Sequence, residues 1–182
     1  MSRKILILAS LLLALSAAAA TAVYLRYGGG QPYRDLNTRP VLPSSALEIA
    51  ARYPEPIGNI AVSADGRLFF TVHPESRPDT NKLMEWRDGR AVPYPDAAFQ
   101  SRLDTPLGLT IDRLGRLWAI DHGTHGTRGA RLFAFDLAGD KALRTHAFAD
   151  DIAPLGSFLQ DLRVSPDGRT AVIADVAVSY TH

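Results

Sequence analysis

Cysteine is absent from this 182-residue chain. That excludes disulfide staples, thiolate zinc sites and thiol catalysis, and it leaves the redox compartment undecided. Glutamate is scarce, four against 15 aspartates, a bias that suits a turn-rich β protein better than a helical one. A basic excess is lacking as well. Beyond residue 27 the chain holds 17 basic and 19 acidic side chains, so neither a surplus nor a stripe of positive charge marks a nucleic-acid partner. Only three of the basic residues are lysine. The 17 arginines are dispersed and read as solvated surface and turn positions. The length suits one domain of ordinary size.

What is present begins with a long apolar run. Eighteen of the 21 residues from Ile5 to Leu25 are apolar, preceded by Arg3 and Lys4. A charged start, an apolar middle and small residues at A-x-A spacing (Ala18/Ala20, Ala20/Ala22) are the marks of an export signal. The run is also long enough to span a bilayer core, which needs about 20 apolar residues as helix, with Tyr24 and Tyr27 as interfacial aromatics. Residues 1–27 therefore read as a signal peptide or a signal anchor. Either way the body is placed outside the cytoplasm, secreted or periplasmic, and touches the membrane only through residues 5–25 if these are uncleaved. Residues 28–56 read as a linker. Gly28-Gly-Gly30, Pro32, Pro40, Pro43 and Ser44-Ser45 resist regular structure, and the glycine triplet lacks the flanking strand and helix of a phosphate cradle. Ser45-Ala-Leu-Glu48 has capping-box spacing and predicts at most two helical turns, stopped by Pro54 and Pro56.

The body, residues 57–182, repeats. Gly58-Asn-Ile-Ala-Val-Ser-Ala-Asp-Gly-Arg-Leu-Phe-Phe-Thr71, Leu107-Gly-Leu-Thr-Ile-Asp-Arg-Leu-Gly-Arg-Leu-Trp-Ala-Ile-Asp121 and Gln160-Asp-Leu-Arg-Val-Ser-Pro-Asp-Gly-Arg-Thr-Ala-Val-Ile-Ala-Asp175 share one pattern. Each is an alternating apolar run, a turn ending in Gly-Arg, and a second apolar run. Asp-Gly turns favour hairpins because both residues tolerate positive φ. Further strands are expected at 82–86, 131–135 and 143–148. A period near 50 residues with about four strands per unit reads as an all-β protein built from β-propeller blades; a sandwich with chance similarity is the weaker reading. Residues 57–182 supply about two and a half such units, fewer than the four a propeller needs, so the sequence is expected to be a fragment of a longer fold.

The run Gly58-Asn-Ile-Ala-Val-Ser-Ala-Asp-Gly-Arg-Leu-Phe-Phe-Thr-Val-His-Pro74, then Pro93-Tyr-Pro-Asp-Ala-Ala-Phe-Gln100, then 107–121 and Ala130-Arg-Leu-Phe-Ala-Phe-Asp136, together resemble the major royal jelly protein/yellow family over about residues 57–178. The resemblance implies a secreted six-bladed propeller, in bacteria often labelled as related to dopachrome tautomerase. It further implies a small, aromatic or amine ligand.

Propeller sites usually lie around the axis, at the ends of the innermost strands. Seven positions before each turn glycine stand Asn59, Gly108 and Asp161. Asn59 and Asp161 are candidates to hold a ligand or a divalent cation such as calcium, whose chemistry suits oxygen donors. A metal-dependent gluconolactonase-like hydrolase is the alternative this opens. The plainer reading has both side chains satisfying backbone amides at strand ends. After the second strands come His73, Asp121-His122 and Asp175. His122 is the proton-transfer candidate because its pKa lies nearest neutral, with Asp121 placed to orient it, and Asp175 joins the ligand-binding candidates. Asp121-His122-Gly-Thr-His125-Gly126 suggests a zinc site only weakly, since two histidines in a glycine-rich loop lack the rigidity of a helical pair. No Gly-x-Ser-x-Gly elbow occurs, and Ser157 is placed in a loop. Trp86, Trp118, Phe69, Phe70 and Phe133 fall on strand positions and read as packing. A scaffold without catalysis is the third reading.

Overall fold

Residues 3–27 and 42–177 are described by a computed structural model of the chain. Gly28–Gly30, the linker through residue 41 and residues 178–182 lie outside them. The chain divides into two units, Met1–Leu47 and Glu48–His182. In the first, an apolar run with no polar face forms one helix, α1 (Arg3–Tyr27). Its 23 residues Arg3–Leu25 are long and apolar enough to cross a membrane, spanning about 34 Å at 1.5 Å per residue. The capping box is not realised. Ser44–Ala46 make a single 3-10 turn whose N-cap position is Pro43, with no side-chain cap.

The second unit is built from antiparallel sheets. Strands β1 (Ile57–Val62), β2 (Leu68–Val72), β3 (Leu83–Arg87) and β4 (Arg90–Pro93) form one four-stranded sheet in sequence order. Strands β5 (Pro106–Ile111), β6 (Arg116–Asp121), β7 (Arg131–Asp136) and β8 (Lys141–Ala147) form a second of the same design. Strands β9 (Leu159–Val164) and β10 (Ala171–Asp175) pair as a third hairpin. The three repeated hairpins thus stand where the sequence puts them. Their turn glycines Gly66, Gly115 and Gly168 have φ of 87°, 72° and 69°, which an L side chain adopts only with strain. Strand β4 had no apolar run to announce it. The chain is mostly β with one N-terminal helix, and no closed ring of sheets is formed among the described residues.

The first strands of the three sheets lie side by side, β1 against β5 and β5 against β9. Glycine permits the approach. A Cβ on Gly108 would stand 2.5 Å from the carbonyl oxygen of Gln160 and 2.9 Å from Cα of Asp161. Each first strand also carries an irregularity near its start. Register slips between Ile57 and Asn59, between Pro106 and Leu109, and opposite Ala174/Asp175 in β10. Such bulges re-aim side chains at a sheet's rim.

Alternation along the strands assigns each apolar side chain to a layer. Phe69 and Leu83 of the first sheet meet Leu109, Leu117, Ala119, Phe133 and Phe135 of the second, with Tyr94, Phe99 and Leu103 from the connection completing the cluster. Burying each of the leucines and phenylalanines among these contributes about 1.5–3 kcal/mol. Ile120, Ala130 and Leu132 face the other way, onto Leu159 and Leu162, with Trp118 at the margin. Phe70, Val72 and Met84 pack under Tyr53 and Trp86. The aromatics are therefore packing residues, as their strand positions imply. The buried side chain of Gln100 fastens the connection to β3. Its Oε1 accepts from the amides of Lys82 (2.9 Å) and Leu83 (3.1 Å), and its Nε2 donates to the carbonyl of Tyr94 (2.8 Å).

Two arginines are not solvated surface groups. Arg67 binds the buried carboxylate of Glu85 through Nε (2.8 Å) and Nη2 (3.1 Å), and also reaches the second sheet through Leu137 and Asp140. Arg116 pairs with Asp112 and reaches the carbonyl of Gly168 in the third hairpin. Dispersion in sequence hid their convergence in space.

Candidate functional site

Antiparallel pairing sets the start of each first strand beside the end of the second: Ile57 opposite Val72, Pro106 opposite Asp121, Leu159 opposite Asp175. Asn59, Asp161 and the residues after β2, β6 and β10 therefore share one end of the sheets. The side chains do not all converge there. Asn59 sits on β1 and Asp161 on β9, with β5 between them. The Asn59 backbone N–H donates to Thr71 Oγ1 (3.0 Å), and Asp161 Oδ1 accepts from the Leu162 backbone N–H (2.8 Å) with Arg163 at 3.6 Å. No group of three or more His, Asp or Glu side chains is placed to hold an ion among the described residues.

Asp121 and Asp175 occupy equivalent places and do equivalent work. Asp121 is fully buried and accepts from the amides of Asp104 (2.7 Å), Thr105 (2.9 Å) and Gly123 (3.0 Å), with Arg131 at 3.5 Å. Asp175 Oδ1 accepts from the amides of Phe158 (2.9 Å) and Ala177 (3.0 Å). Each carboxylate ties the end of a second strand to the segment entering the first strand of its own sheet. Buried backbone N–H groups must be paired, and these aspartates supply the acceptors. Asp121 thus fixes the loop beneath His122 and makes no hydrogen bond to its ring.

The ring of His122 is oriented by its own loop. The His125 amide donates to His122 Nδ1 at 3.0 Å, a bond permitted by the positive φ of Gly123, Thr124 and His125. The rings of His125 and Phe158 lie 4.9 Å from it, Phe158 edge-on. His122 is only 2% exposed. Burial, then the neighbouring His125, hold its imidazole below the ordinary value near 6.5, so the ring is neutral at pH 7. With Nδ1 accepting, the neutral ring carries its proton on Nε2. That atom is buried and has no hydrogen-bond partner among the described residues.

His122 lines a cleft of about 520 Å3 between the loop after β2 and the loop after β6. Pro74, Glu75, Arg77 and Asp79 border it from the first loop, Thr124, His125 and Arg128 from the second, with Lys82, Asp104 and Thr105. His73 stands behind the first loop, where its Nδ1 accepts from the Glu75 amide at 3.2 Å. Glu75 Oε1 in turn approaches His125 Nε2 at 3.6 Å across the cleft. Asp104 takes both Arg128, at 3.2 Å, and Arg131. The cleft brings together His122 and His125 and leaves out Asn59, Asp161 and Asp175. Sequence reasoning missed Lys82 and the Glu75 loop. Their only signal was position: both flank the end of β2 as Asp121-His122 flanks the end of β6.

Residues 105–179 match the family model of the major royal jelly protein, which takes in β5 through β10 and the loop that carries His122. No curated protein matches the chain.

Proposed function

We propose that this chain is an exported β-propeller of the major royal jelly/yellow kind that binds a small ligand in the cleft at His122. The observation that carries the ligand-binding reading is His122, which lines a roughly 520 Å3 cleft and whose buried Nε2 lacks a partner. A buried polar group without a partner costs about 1–3 kcal/mol, and a ligand atom would recover that cost. The volume falls within the range usual for small-molecule sites.

Three features support the propeller and its export. Successive sheets put their first strands side by side with the same irregularity at the same end. The family match spans the second sheet and the third hairpin. The helix Arg3–Tyr27, with Arg3 and Lys4 at its start, has the makeup of a signal or an anchor. In a six-bladed ring the starts of β1, β5 and β9 border the central channel, where Asn59 and Asp161 would hold the calcium of the alternative hydrolase reading. If the site is catalytic, the neutral His122 polarises a substrate oxygen by a hydrogen bond from Nε2, since Nδ1 is already engaged.

The test is thermal melting of the full chain with a panel of aromatic amines, catechols and aromatic carboxylates, with calcium and with a chelator. A midpoint raised by several degrees by one of the organic compounds is expected, because a ligand that binds only the folded state stabilises it. Stabilisation by calcium alone, lost on Asn59→Ala or Asp161→Ala, would instead favour a gluconolactonase-like hydrolase. No response to any compound would leave the non-catalytic scaffold.

A further inference from the structure

The cleft presents two unmet requirements that one chemical group would satisfy. The first is the Nε2 proton of His122, buried and without an acceptor. The second is the ammonium of Lys82. It is half-buried and lines the same cleft. Its Nζ donates to the carbonyl of Leu103 at 2.6 Å, and none of the ion pairs among the described residues includes it. A carbonyl takes one of the three donors of an ammonium and none of its charge. The other charged groups are differently placed. Arg128 and Arg131 already share Asp104, while Arg77, which is in none of these ion pairs either, and the acids Glu75 and Asp79 are exposed at the rim.

We infer that the cleft takes a small ligand bearing a carboxylate, with one oxygen accepting from His122 Nε2 and the charge answered by Lys82. The inference rests on the reading of the cleft as a ligand site and names the group that enters it. A neutral, buried N–H donor fixes an oxygen without having to be charged itself. A lysine with a partly withdrawn ammonium supplies the attraction, and charge-assisted hydrogen bonds are the stronger ones. An amine without an oxygen acceptor meets neither requirement at this wall.

The experiment titrates the full chain with phenylacetate, phenethylamine and inorganic phosphate while following the ring 15N resonances of His122. Saturable binding of phenylacetate that moves the Nε2 signal is expected. Lys82→Gln and His122→Phe should each weaken it by about tenfold, the worth of one lost polar contact. Should His122→Phe fail to fold, Lys82→Gln and the ring resonances still decide. Phosphate binding in place of phenylacetate, phenethylamine binding equally well, or phenylacetate binding that ignores both residues would each overturn the inference. So would the absence of binding by all three. A catechol or amine that raises the melting midpoint and moves the His122 signals while phenylacetate does neither would overturn the carboxylate and leave the small-ligand function standing; stabilisation by any compound without movement of those signals would overturn both.

Discussion

Arg67, from the turn between β1 and β2, donates through Nη1 to the carbonyl oxygen of Leu137 at 2.7 Å, 70 positions further along the chain. Arg116, the first residue of β6, donates through Nη2 to the carbonyl oxygen of Gly168 in the next hairpin at 3.0 Å. In the first two repeats the Gly-Arg of the sequence is thus a strap from one sheet to the next.

Replacing Arg67 with alanine removes the strap and one of the two guanidiniums that hold buried Glu85. A loss of about 2 kcal/mol is expected, measured by urea denaturation. Arg67→Lys should recover less than half, because an ammonium lacks the fork that spans Glu85 while reaching Leu137.

Gly108→Ala and Gly66→Ala should separate two reasons for glycine. At Gly66 nothing lies within 4 Å of a new Cβ, and only the φ of +87° is unfavourable, a cost of about 1–2 kcal/mol. At Gly108 the new atom meets the backbone of β9 at Gln160 and Asp161, which cannot yield as a side chain does. About 3 kcal/mol or more is expected there. Equal melting temperatures for the two variants would contradict the close approach of β5 and β9.

The hairpins were legible because alternation and Asp-Gly turns are local signals, readable within a dozen residues. Strand β4 was not, because Arg90-Ala-Val-Pro93 alternates nothing and borrows its place from β3. The capping box failed because Pro43, not Ser45, stands before the short turn. The site was legible as far as His122. Its orienting bond comes from a backbone amide, and the partners of Asp121 lie 16 and 17 positions earlier, so no side-chain pattern could reveal either.

His122 makes folding pH-dependent in a definite direction. Burial lowers its pKa in the folded chain below 6.5, with His125 adding to the effect and Asp121 and Glu75 opposing it. The unfolded chain therefore takes up the proton first as pH falls. Stability should drop below about pH 6.5 and level off once the folded state is protonated too. His122→Phe should lack this component. Its stability relative to the parent should improve between about pH 7.5 and pH 5; a constant difference would refute the assignment.

Asp121→Asn keeps one acceptor oxygen and loses the other. The amides of Asp104 and Thr105 are held by different oxygens of this carboxylate, so one of them is left unpaired at a cost of about 2 kcal/mol. Hydrogen exchange at Asp104, Thr105 and Gly123 should accelerate by at least tenfold, while amides of β2 and β3 stay protected.

The Arg67 strap carries a consequence for how the chain is made. Taken alone, the first sheet crowds two guanidiniums, Arg67 and Arg87, around one carboxylate, Glu85; Asp140 supplies the balancing charge from the turn between β7 and β8. A chain synthesised from its N-terminus therefore cannot finish its first sheet until nearly all of the second has emerged. The first sheet waits on the second and the second on the third hairpin for their last contacts, and assembly acquires a direction: the newer segment certifies the one before it.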